Sequence, residues 1–126
     1  MSTTTDPLDR AQIDLLLSRD DGAGKTLAKT VGEFRRVSWE GRNDLRRQLR
    51  NGDYGALAHT AHSLKGTSAS VGASDLARVC AELEMHARQV EFAGSDEFAD
   101  SDSLMERFET EFTRVQVALM LLVPEG

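Results

Sequence analysis

Residues 58–84 read AHTAHSLKGTSASVGASDLARVCAELE, and the apolar spacing in and around this stretch decides the fold. Leu57, Leu64 and Val71 recur at seven-residue steps, while Leu76, Cys80, Leu83, Ala87 and Val90 recur at steps of three and four. Both are helical periods, with Gly72 as the break between them. Asn51-Gly52-Asp53 stands ahead of the first segment as a turn and cap, so a helix is expected from about Tyr54 to Ser70. Ser74 is the expected N-cap of the next helix.

Working outward, the same period continues on both sides. Before Asn51, Leu27, Val31, Phe34, Leu45 and Leu49 form one stripe of a long helix, with Gly32 and Gly41 as bends or close-packing points. Asp20 to Gly24 is a break. Ahead of it Asp6 and Pro7 suit an N-cap and first turn, opening a short helix through Leu17. After Gly94-Ser95, Met105, Phe108, Phe112, Val115, Leu119 and Leu122 alternate steps of three and four. The run Val117 to Val123 is assigned to the core, with self-association as the lesser option. Prolines occur only at 7 and 124, and no strand alternation is present. The expected fold is all-α: an antiparallel up-down four-helix bundle with a short additional N-terminal helix. Residues 1–126 form one domain in this reading, with about 1–7 as a flexible N-terminus.

Composition excludes several function classes. A chain of 126 residues accommodates one core, and 40% hydrophobic residues with a net charge of −6 describe a globular protein. One cysteine excludes a disulfide framework and fits a reducing compartment; Cys80 lies on a core stripe and reads as a small buried hydrophobe. No apolar run approaches the ~20 residues that span a bilayer, and no secretory leader is visible at the start. A cytoplasmic location without membrane contact is expected. Eleven basic and nine acidic residues lie up to Lys65, four and twelve beyond it. Arginines 35, 36, 42, 46, 47 and 50 are diluted by Glu33, Glu40 and Asp44, which reads as a solvated helix face and not as a nucleic-acid surface.

The chemistry lies on the third helix. At ~100° per residue, Leu57, Leu64 and Val71 fall opposite His62, which therefore points away from the core. Within ~60° of it stand Ala58, His59, Lys65, Gly66 and Ala69. Three of these five are Ala or Gly, so the imidazole stands on a low platform with one ammonium a turn away. An imidazole titrates near neutrality and is a competent nucleophile there. Attack on phosphorus needs a projecting ring and room for a bulky partner. Glycine costs ~1 kcal/mol inside a helix, and clearing the approach to His62 gives Gly66 a reason. Lys65 can offset phosphoryl charge. No Gly-rich phosphate loop or compact carboxylate cluster is present to hold a nucleotide or magnesium, so the donor must bring them. His59 reads as a solvated or partner-contacting residue, and His86 has no assigned role. No metal site is expected, because ligands would have to converge while Lys65 repels a cation.

The segment His62 to Gly72, HSLKGTSASVG, resembles the signature H-x-L-K-G-[ST]-[SA]-x-x-[LIV]-G of histidine-containing phosphotransfer domains and matches every defined position. Outside 53–88 the likeness is one of pattern. The resemblance implies a protein that takes a phosphoryl group from a receiver-domain aspartate and passes it to another. It implies His62 as the phosphorylated residue through Nε2, Lys65 as charge partner, Gly66 as clearance and Gly72 as the end of the active helix. It further implies that Glu84 hydrogen-bonds the imidazole from the neighbouring helix; Arg88 is a candidate second cation. The implied partners are receiver domains of response regulators or hybrid histidine kinases. The protein is expected to be a monomeric carrier without kinase activity or a cofactor of its own, magnesium coming from the receiver. The alternatives are an adaptor that docks on a receiver or kinase without being phosphorylated, and the phosphorylated domain of a chemotaxis-type kinase. The first is distinguished by whether His62 carries phosphate; the second is disfavoured by the shortness of the chain after the last helix.

Overall fold

The computed structural model describes residues 6–18, 25–94 and 101–122. Within them lie five helices and no strand: α1 (Arg10–Ser18), α2 (Lys25–Arg50), α3 (Tyr54–Ser70), α4 (Ser74–Ala93) and α5 (Ser101–Leu122). The four long helices run up and down around one core, with α2 beside α3, α3 beside α4, α4 beside α5 and a lighter α5–α2 seam. α1 packs beside α2 and is tied to the α3–α4 turn.

Each stripe read from the sequence meets the core. Val31, Phe34, Leu45, Leu57, Val71, Leu76, Cys80, Leu83, Phe108, Phe112 and Leu119 are all buried. Burial pushes the Cys80 thiol up to about 12, which leaves it a protonated, inert packing residue. Trp39 of α2 meets Phe112 of α5 edge-on, centroids 4.9 Å apart. Arg42 lies over the Trp39 ring and pairs with Glu109 at 2.6 Å, closing the α2–α5 seam. Gly41 is a close-packing point: a Cβ there would stand 2.7 Å from the Leu64 side chain, so its absence lets α2 approach α3.

Turn chemistry fixes the ends of α3. Asp53 accepts a hydrogen bond from the Ala56 N–H, and Gly52 takes the left-handed conformation (φ 68°) that joins α2 to α3. Gly72 (φ 76°) ends α3, and its carbonyl accepts the Asp9 N–H at 2.6 Å.

Three local expectations are corrected. α1 is capped by Asp9, whose carboxylate accepts the Ala11 N–H, and not by Asp6, which instead accepts from Leu8 N–H. Residues 1–5 lie outside the described residues. Ala73, and not Ser74, stands at the N-cap of α4, without a side-chain cap bond. Of the described part of that run, residues 117–122, only Leu119 is fully buried; Val117, Met120 and Leu121 are exposed. An apolar run spanning two turns covers the whole circumference of a helix, and only one side of it can face the core. The expected break at Asp20–Gly24 falls on residues 19–24, outside the described residues, as do Ser95 and Val123.

Candidate functional site

His62 sits in mid-α3 with 63% of its side chain exposed. Its position follows from the helical wheel: Leu57, Ala61, Leu64 and Ser68 turn inward and His62 turns outward. Across the seam, α4 presents Glu84, whose side chain is only 15% exposed. The Glu84 carboxylate oxygens lie 3.2 and 3.1 Å from His62 Nδ1. The same carboxylate accepts from Lys65 Nζ at 3.4 Å and from Arg88 Nη2 at 3.1 Å.

These contacts determine the protonation pattern. Burial opposes ionisation of Glu84, but hydrogen bonds from His62, Arg88 and Lys65 together outweigh it and hold the carboxyl below its ordinary range. An ionised carboxylate only accepts hydrogen bonds, so the facing Nδ1 must carry the proton. In the neutral ring the lone pair is then on Nε2. The result is an oriented imidazole with its nucleophilic nitrogen directed away from α4.

The surroundings of His62 agree with the sequence reading except at one residue. His59, Gly66 and Ala69 are exposed on the same side of α3, and a Cβ on Gly66 would meet nothing within 4 Å. Lys65 is half-buried against the seam, and Arg88 is exposed one turn beyond Glu84. Ala58 is corrected: it is fully buried and belongs to the core. It lies on the flank of α3 facing α4, and the wheel of an isolated helix does not show that α4 covers this flank. His86 hydrogen-bonds Ser101 at 2.6 Å, which places it at the α4–α5 connection, away from His62. Among the described residues no group of three or more His, Cys, Asp or Glu converges to hold a metal. None of the described helices is long and apolar enough to cross a membrane.

The open space at Gly66 separates clearance from packing. Gly66→Ala should raise stability by up to ~1 kcal/mol, since the methyl is unopposed and alanine is the better helix former. Gly66→Gln should leave the fold intact yet slow phosphoryl exchange by obstructing His62. Thermal melts and single-turnover transfer check the pair. An Ala variant that melts much earlier, or a Gln variant that transfers at the wild-type rate, contradicts the clearance role.

A helical bundle presenting one oriented, exposed imidazole beside fixed cations is the architecture of a phosphoryl carrier. Residues 30–118, well over half of the chain, match the Hpt domain family, and the chain belongs to that family. It is similar to a solved structure, the crystal structure of histidine-containing phosphotransfer protein B (HptB) from Pseudomonas aeruginosa PAO1. The two are 32% identical with a TM-score of 0.78, over 94% of this chain and 95% of that one. No curated protein matches the chain significantly. The protein is therefore a phosphotransfer carrier of two-component phosphorelays, working with receiver domains and kinases.

Proposed function

We propose that His62 is the residue that carries the phosphoryl group, through Nε2, between the aspartates of two receiver domains. The observation that supports this most strongly is the Glu84–Nδ1 contact at 3.1 Å, which turns the other ring nitrogen, Nε2, away from α4 on a side chain that is 63% exposed. On loading, Nε2 attacks the phosphorus of the aspartyl phosphate; the P–O bond breaks, the carboxylate leaves and an Nε2–P bond forms. The Nδ1 proton stays on the ring, and Glu84 offsets the positive charge that develops there. On unloading, the second aspartate attacks phosphorus, the Nε2–P bond breaks, and a neutral imidazole leaves because Nδ1 has kept its proton.

In this reading Lys65 and Arg88 offset phosphoryl charge, and Gly66, Ala69 and His59 form the surface the partner meets. The chain acts without kinase activity or a resident cofactor, as a cytoplasmic monomer with no nucleic-acid or membrane partner; magnesium comes with the receiver. Incubation with a panel of phosphorylated receiver domains tests it. Label should move to this chain as an acid-labile, base-stable phosphate within single-turnover times for at least one receiver. A chain that binds receivers but never acquires label would be an adaptor instead.

Lys65→Ala should slow transfer about fivefold without abolishing it. A partly exposed cation is worth ~1 kcal/mol after screening, and each 1.36 kcal/mol is tenfold in rate. Lys65→Arg should restore only part of the rate, because the guanidinium is larger and planar. Single-turnover transfer decides: complete loss in a folded Lys65→Ala would make the lysine essential for positioning, and no change would move the charge role to Arg88 or the partner.

A further inference from the structure

The α2–α5 seam lies across the bundle from the α3–α4 seam that holds His62 and Glu84, and it carries apolar surface that the fold does not cover. Trp39, the chain's single tryptophan, is 47% exposed on α2. Val117 and Met120 of α5 are each 51% exposed. The contacts of Trp39 with Phe112 and of Ser38 with Gln116 set the register, which brings Met120 to about the level of Gly32. Gly32 stands within about 20° of Trp39 on the helical wheel. A Cβ on it would meet nothing within 4 Å among the described residues, so close packing inside the chain does not account for a glycine in mid-helix. Charge is sorted on the same face. Within about 60° of Trp39, α2 carries Arg35, Arg36, Arg42, Arg46 and Arg50 and no carboxylate. Glu33, Glu40 and Asp44, which interrupt these arginines in the sequence, lie about 100–140° around the helix. α5 has no carboxylate from Phe112 to Leu122.

We propose that the strip of this seam between Trp39 and Gly32 is a docking site for an acidic amphipathic helix of a partner protein, occupied independently of phosphoryl exchange at His62. The apolar face of such a helix covers Trp39, Val117 and Met120, the aromatic and Met-type side chains that anchor interfaces. Its carboxylates meet Arg35 and Arg36; Arg36 holds Glu40 only at 3.6 Å and stays 64% exposed, so it is available to a partner. Gly32 lets the incoming helix approach α2 closely. A helix of three to four turns, roughly 16–22 Å, covers the strip and its rim. A nucleic acid fits less well: it needs a row of cations with stacking rings, and here aliphatic side chains line the strip while Glu109 draws off Arg42 at 2.6 Å. The position of the seam, opposite His62, leaves the phosphorylation face open when the site is filled.

Trp39 supplies the readout. The probe is a synthetic peptide of about four helical turns, with leucines at i, i+3, i+4 and i+7, glutamates elsewhere and no tryptophan. Added to the full chain, it should shift Trp39 emission to the blue with a Kd of about 10–100 µM that weakens as salt is raised. Met120→Glu should raise that Kd about tenfold or more by setting like charge against the peptide. Gly32→Gln should do the same by filling the approach, and both variants should keep the helical content of the wild type. At saturating peptide, transfer from a phosphorylated receiver to His62 should run at the rate of the free chain; this arm rests on His62 being the carrier, and the binding arms do not. No shift up to millimolar peptide, equal affinity for a scrambled peptide of the same composition, or an unchanged Kd in both variants overturns the proposal. Slowed transfer at saturating peptide also overturns it, by placing the peptide on the His62 face. A Trp39 shift with a single-stranded oligonucleotide or with phosphatidylglycerol vesicles, but not with the peptide, would assign the strip to nucleic acid or to a membrane surface instead.

Discussion

His62→Gln should carry no acid-labile phosphate under any transfer condition, while its helical content and melting temperature stay close to wild type. The two halves of this expectation have different causes. Glutamine has no nucleophilic ring nitrogen, so no phosphorus–nitrogen bond of this kind can form at position 62 and the loss is total. The side chain projects into solvent from α3, where glutamine is as good a helix former as histidine or better. The substitution removes the ring's hydrogen bond to Glu84, and that carboxylate keeps Lys65 and Arg88 as partners. Circular dichroism and labelling from a phosphorylated receiver check both halves. Residual acid-labile label in a folded His62→Gln variant would show that another residue carries the phosphoryl group.

The largest effect on stability is expected at Gly72. Its backbone is left-handed (φ 76°), and a Cβ there would stand 3.0 Å from Gln12 Cβ and 3.1 and 3.2 Å from the Asp9 backbone O and N. Alanine would add ~1–2 kcal/mol of left-handed strain. It would also press on the backbone that caps α1, an overpacking cost of ~1–3 kcal/mol. Gly72→Ala should therefore lose roughly 2–5 kcal/mol and melt about 10 °C earlier or more. Gly52 is the built-in control: it shares the left-handed conformation (φ 68°), but its added Cβ would meet nothing within 4 Å. Gly52→Ala should cost only the strain of ~1–2 kcal/mol. The difference between the two variants measures how firmly α1 is held, and hydrogen exchange should show α1 loosened in Gly72→Ala alone. Equal losses would mean that the α1 contact contributes nothing.

What was legible in the sequence depended on whether its cause was local. The ends of α3 were readable because Gly52, Asp53 and Gly72 act through their own backbone conformations and side chains. The cap of α1 was not, because choosing Asp9 over Asp6 depends on the bond from Asp9 N–H to the Gly72 carbonyl, far along the chain. His62 was placed correctly by the period of α3 alone. Ala58 was misplaced because α4, absent from a single-helix wheel, buries that flank. The Glu84 contact entered through the resemblance, and the structure gives it a geometry.

The central claim is a bond between phosphorus and one nitrogen of one histidine. The most direct measurement is phosphorus–nitrogen coupling by NMR on ¹⁵N-histidine-labelled protein loaded by a phosphorylated receiver, with the site confirmed by His62→Gln. The account predicts one phosphohistidine, at His62, with phosphorus on Nε2 and Nδ1 still protonated against Glu84. Phosphorus on Nδ1 of His62, or on His59 or His86, would contradict it.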